Sequence, residues 1–97
     1  MTLPEILQDI HAMEEEMIAY ERKYGVRSAI FYESYMQGDE PPDGASMFDW
    51  VGWAGAYQIW LERQQQYTEA FQLLRRQTPL IHIIAKTIQH AALPVPA

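Results

Sequence analysis

Residues 46–77 read SMFDWVGWAGAYQIWLERQQQYTEAFQLLRRQ. Trp50, Trp53, Tyr57, Trp60, Gln64, Tyr67, Phe71 and Leu74 follow one another in steps of three and four. That spacing lines one face of a helix. Ala54, Leu61 and Thr68 form a second row that widens the stripe. Ser46 suits the N-cap, and Asp49 three residues on completes an S-x-x-D capping pattern. Asp49 sits near the positive end of the helix dipole, Arg75 and Arg76 near the negative end. The stretch predicts one long helix over 46–77.

Its first half is apolar nearly all round. From Trp50 to Leu61 only Gln58 is conspicuously polar, and Val51, Ala56 and Ile59 lie off the main stripe. Such a helix is expected to be covered on more than one side. A crowded core in a small domain explains this, and so does a second chain on one face. Gly52 and Ala56, four apart, leave a flat spot for a neighbouring backbone. A helical Gly costs roughly 1 kcal/mol relative to Ala, so close packing is a reason to keep one.

The other elements follow outward from this helix. Over 2–24, Leu3, Ile6, Ile10, Met13, Met17, Tyr20 and Tyr24 make an unbroken seam of threes and fours. Thr2 and Glu5 form a capping box, Pro4 fits the first turn, and Gly25 fits the left-handed cap position. Ser28 caps a short helix over 28–37 whose apolar side is Phe31, Tyr32, Tyr35 and Met36, and Gly38 ends it. The loop GDEPPDGAS follows, with two prolines and an Asp-Gly turn pair. Thr78-Pro79 restarts the chain as N-cap and first-turn proline. Leu80, Ile81, Ile84 and Ile88 then recur at helical spacing over 79–91, although Ile81-His82-Ile83 also fits the start of a strand. This last helix packs in cis or docks on another chain. Residues 92–97 read as an extended tail.

The expected fold is all-α: a long antiparallel helical hairpin with a short helix at the turn and a C-terminal helix. At 97 residues the chain is expected to make one domain. Tyr20, Tyr24, Tyr32, Tyr35 and the tryptophans are expected to gather as an aromatic core near the turn.

Charge narrows the partners. Residues 1–50 hold eleven acids against three bases, while residues 51–97 hold two acids against four bases. An acidic half is a poor surface for nucleic acid, whose phosphates call for clustered Lys and Arg. It suits solubility and the approach of a basic protein. The absence of Cys excludes disulfides and thiol chemistry and fits a cytoplasmic setting. No basic-then-apolar leader opens the sequence, and the apolar run near its end is broken by His82 and Lys86. Neither a secretory signal nor a membrane span is therefore expected.

Chemistry is hard to place. His11 and Glu15 are four apart, but no second ligand pair accompanies them, so neither metal nor cofactor is expected. There is no Gly-rich phosphate loop, and the three histidines have no nucleophile and orienting acid for company. No enzyme is expected.

The segment ERKYGVRSAIFYESYMQGD, residues 21–39, is followed after an acidic loop by FDWVGWAGAY, residues 48–57. Together they resemble a set of small, acidic, two-helix proteins of cyanobacteria, other bacteria and archaea. Those proteins share K-Y-G, a serine, F-Y, a glycine, an acidic loop, F-x-W and an aromatic-rich helix. This chain departs from the pattern at Ala29 and Ile30, where acidic residues are usual, and in the segment beyond Thr78. The resemblance implies the antitoxin half of a toxin–antitoxin pair, one that occludes a basic, ribonuclease-like toxin. Its acidic half would stand in for RNA phosphates, and its aromatic residues would anchor the interface. The expected contact residues are Trp53, Ile59, Trp60, Ile81 and Ile84 for apolar contact, with Glu14, Glu15, Glu16 and Asp39 for charge. The alternative is a self-associating helical scaffold, a homo-oligomer with no toxin partner. A DNA-binding role is opposed by the charge.

Overall fold

The computed structural model describes residues 1–92, the last three through their backbone alone. Four helices follow one another: α1 (Leu3–Tyr24), α2 (Ser28–Met36), α3 (Gly44–Gln77) and α4 (Leu80–Ala92). The all-α hairpin read from the sequence is what forms. Among the described residues no helix is long and apolar enough to cross a membrane. The tail expected over 92–97 lies, from residue 93 on, outside the described residues.

The chain divides into two compact units, Met1–Tyr67 and the segment from Thr68 on. The first holds α1, α2 and most of α3. Cross-helix contacts set its direction. Lys23 and Tyr24 reach Asp49, Glu14 meets Trp60, and Asp9 meets Arg63. Residue numbers rise along α1 as they fall along α3, so the two helices are antiparallel.

Each end of α1 is fixed by local chemistry. The Thr2 side chain accepts the Glu5 N–H at 3.3 Å, and Pro4 sits in the first turn. Glu5 does not complete the reciprocal box: its carboxylate accepts from the Thr2 hydroxyl at 2.9 Å. At the far end Gly25 takes φ 73° and donates its N–H to Glu21 O at 2.7 Å. Only Gly adopts that left-handed conformation without steric cost. Every seam residue from Leu3 to Tyr24 is buried or half-buried.

Three caps differ from the sequence expectation. α3 begins at Gly44 rather than Ser46, because Asp43 accepts the Ser46 N–H at 2.7 Å and caps the helix from further back. Asp49 is thereby free of capping and turns to α1. Ser28 is not a cap but a buried core residue, and Arg27 occupies the cap position without a side-chain hydrogen bond. Pro79 takes the cap position of α4 itself, its carbonyl accepting from His82 and Ile83 at 3.0 and 3.2 Å. The strand alternative for residues 81–83 is thus replaced by helix.

The core is an aromatic pile. Met17, Phe31, Trp53, Ala54 and Ala56 are buried together, with Tyr20, Tyr24, Tyr32, Tyr35, Trp50, Tyr57 and Trp60 packed around them. The expected aromatic cluster at the turn end therefore forms. The second row of the α3 stripe is narrower than expected: Ala54 is buried, but Leu61 and Thr68 are exposed. Ala56, placed off the stripe, is buried. On α2, Phe31 is buried while Met36 stands in solvent.

Candidate protein-binding surface

Trp53 is the hub of the first unit, and its surroundings decide which residues remain for a partner. It is 1% exposed. Phe31 stacks on its indole at 3.9 Å with the planes 2° apart, and Tyr20 and Tyr24 stack at 5.7 and 5.8 Å. An aromatic side chain that buries about 200 Å², at about 25 cal/mol per Å², contributes on the order of 5 kcal/mol. The indole N–H, which would be costly to bury unpaired, donates to Ser28 Oγ at 2.9 Å.

Ser28 passes that bond on. Its hydroxyl and its backbone N–H both donate to Glu21 Oε2 at 2.8 Å, and Arg27 Nη1 lies 3.8 Å from Glu21 Oε1. A side chain from α1 thus takes over a helix N-terminus of α2. Burial pushes the Glu21 carboxyl up, but the Ser28 hydrogen bonds and the nearby Arg27 outweigh it and hold the group below its ordinary value. Asp49 is a second lock. Lys23 Nζ and Tyr24 Oη both donate to its Oδ2 at 2.6 Å. These bonds, that to Lys23 foremost, lower the Asp49 carboxyl and raise the Lys23 ammonium.

The expected contact residues divide accordingly. Trp53 is core, not surface, because α2 closes over it with Phe31. Trp60 is half-buried, and its N–H donates to Glu14 Oε2 at 3.2 Å, so Glu14 is engaged within the chain. Ile59, Glu15 and Glu16 are exposed. Asp39 is exposed on the loop after α2. Ile81 and Ile84 are exposed on α4, in the second unit, along with Leu80 and Ile88. Of the nine, those free to meet a partner are Ile59, Ile81, Ile84, Glu15, Glu16 and Asp39.

The structure adds residues that were not among the expected contacts. Val26, Ile30, Met36, Met47, Phe48 and Val51 are exposed around the turn end of the hairpin, Phe48 at 83%. Two grooves open there. One, of about 360 Å³, is lined by residues of the α1–α2 corner, α2 and α3, including Val26, Ile30, Asp39 and Trp50. The other, of about 240 Å³, includes Glu40, Met47 and Val51 and shares Asp39 and Trp50 with the first. The Trp50 indole N–H is buried without a hydrogen-bond partner. The sequence signal for these residues was present in Val51, which fell off the apolar stripe. Nothing in the spacing of Val26, Ile30 or Phe48 marked them.

Chemistry is sparse among the described residues. No three His, Asp or Glu side chains gather closely enough to hold a metal ion. His11 and His82 are exposed, and the side chain of His90 lies outside the described residues. The hydroxyl of Ser28 is buried and already bonded, donating to Glu21 and accepting from the Trp53 indole, in the wall of a further groove of about 330 Å³ that Glu14, Glu21 and Arg27 also line. No protein-family model, curated protein or solved structure matches the chain.

Proposed function

We propose that this chain is a non-catalytic protein-binding module, the antitoxin of a toxin–antitoxin pair that occludes a basic, ribonuclease-like toxin. The observation that carries this reading is the turn end of the hairpin. Aliphatic and aromatic side chains stand in water there, beside the carboxylates of Asp39 and Glu40, which no cation of the described residues pairs. Exposed apolar side chains gathered in this way mark interaction surfaces. An acidic rim speeds and orients the approach of a basic partner. The K-Y-G…F-Y…F-x-W pattern points the same way by resemblance.

The test is genetic and biochemical. The gene beside this one is expressed alone and together with it. Growth arrest that this protein relieves, with recovery of a stoichiometric complex, supports the reading. Normal growth with the neighbour expressed alone sinks it.

A second reading, a self-associating helical scaffold, is favoured by α4. Leu80, Ile81, Ile84 and Ile88 are all at least 43% exposed on that helix. Light scattering on the purified chain checks it. A concentration-independent oligomer that Ile81→Asp with Ile84→Asp dissolves supports this reading, and a monomer at all concentrations rejects it.

A further inference from the structure

The protein-binding reading leaves open where a partner would seat. Three observations converge on the larger of the two turn-end grooves. Its walls are apolar and unfinished: Val26 is 38% exposed and Ile30 61% exposed. Its rim carries a carboxylate, Asp39, which also lines the adjoining groove beside Glu40. Neither acid is ion-paired among the described residues. Between the two grooves lies Trp50, whose N–H is enclosed and unbonded. The other two indoles are satisfied, Trp53 by Ser28 and Trp60 by Glu14. Trp50 therefore lacks an acceptor that the described residues do not supply, and a buried donor without one is costly.

From this geometry we propose that the groove receives an extended segment of the basic partner, with an aliphatic side chain entering against Ile30 and Trp50 and a neighbouring Arg or Lys meeting Asp39 and Glu40. This inference rests on the protein-binding reading. At about 360 Å³ the groove is at the small end of the ligand-pocket range of about 300–1,000 Å³, room for a side chain or two rather than a folded element. Charge selects the sign of the segment, and the aliphatic wall selects its register. Trp50 lines both grooves, so its indole signal reports a segment seated in either one.

The test uses the full chain, isotope-labelled for nuclear magnetic resonance, and a capped hexapeptide of alternating Arg and Leu as probe. The three indole N–H signals are assigned by Trp50→Phe and Trp60→Phe. The expected result is that the Arg-Leu peptide moves the Trp50 indole signal and the amides of Ile30, Ser34 and Asp39. The Trp60 indole signal stays in place. An alternating Glu-Leu peptide binds at least tenfold more weakly, and Asp39→Asn weakens the Arg-Leu peptide about threefold, as for an exposed ion pair. Ile30→Asn, at an exposed position that leaves the fold intact by circular dichroism, weakens it at least fivefold.

No movement of the Trp50 signal overturns the proposal. So does equal binding of an Arg-Ser peptide, which would reduce the contact to charge alone. A basic peptide that maps to another face removes the groove but leaves the protein-binding reading standing. That reading fails separately, if the neighbouring gene is harmless.

Discussion

The Tyr20 hydroxyl stands over Gly52: a Cβ added at Gly52 would lie 2.7 Å from the hydroxyl oxygen and 3.7 Å from the ring carbon that bears it. The flat spot on α3 is therefore filled by α1 of the same chain, not by the backbone of a neighbour. The Tyr20 ring cannot easily retreat, because it stacks on Trp53. Gly52 is the relief that lets α1 and α3 close on the aromatic pile.

This contact predicts a coupled pair of substitutions. Gly52→Ala adds about 1 kcal/mol of helix propensity, which the clash with the Tyr20 hydroxyl offsets. With Tyr20→Phe the nearest atom would be the ring carbon, at ordinary contact distance. Gly52→Ala is expected to be neutral or mildly destabilising alone and to stabilise the Tyr20→Phe background by about 0.5–1 kcal/mol. Urea denaturation of the four proteins measures the cycle. Identical effects in both backgrounds would show that the hydroxyl does not crowd Gly52.

Ser28→Ala removes the acceptor of the Trp53 N–H and one of the two donors to Glu21. The buried indole is left unpaired, at a cost of about 1–3 kcal/mol. Ser28→Thr keeps the hydroxyl and is expected to recover part of that loss. Chemical denaturation with tryptophan fluorescence reports both. A neutral Ser28→Ala would mean that the bond contributes nothing net.

Acid sensitivity follows from the two locks. Glu21 and Asp49 both have carboxyl groups held lower in the folded chain than in the unfolded one, where the ordinary values are 4.5 and 3.8. Their stabilisation is complete above those values and is lost as pH falls toward the folded ones. Lys23 works in the opposite sense: its raised group stabilises below 10.5 and loses that contribution as pH climbs through the higher folded value. Thermal melts are expected to be flat from neutrality down to about pH 5 and to fall below it. Glu21→Gln with Asp49→Asn makes the acid limb shallower and leaves the part due to Asp43, whose carboxyl the Ser46 N–H also holds low. A double variant that keeps the full wild-type slope would locate the acid response elsewhere.

Core and surface on α3 separate by substitution. Trp53→Ala is expected to cost about 3–5 kcal/mol, a large share of what holds a domain this small together. Ile59→Ser, at a position 41% exposed, is expected to shift stability by no more than about 0.5 kcal/mol. Loss of partner binding in the first variant would reflect unfolding, whereas loss in the second would mark a contact. Circular dichroism beside a binding assay distinguishes the two.

Local rules sufficed for much of this molecule. The threes and fours from Leu3 to Tyr24 and from Trp50 to Leu74 gave two helices, because the helical period alone decides which side chains share a face. Gly25 and Gly38 ended α1 and α2 with positive φ, a conformation only glycine adopts freely. Composition alone also foretold the acidic first half. What the period does not contain is which element closes over which face. Phe31 of α2 covers Trp53 and withdraws it from the surface, while Val26, Ile30 and Phe48 are left outside. Ser28 reads as a cap in sequence, yet Glu21, seven residues earlier, takes the N-terminus of α2 and frees that hydroxyl for an indole 25 residues away. Such assignments depend on contacts between distant segments, which exist only once the chain has packed.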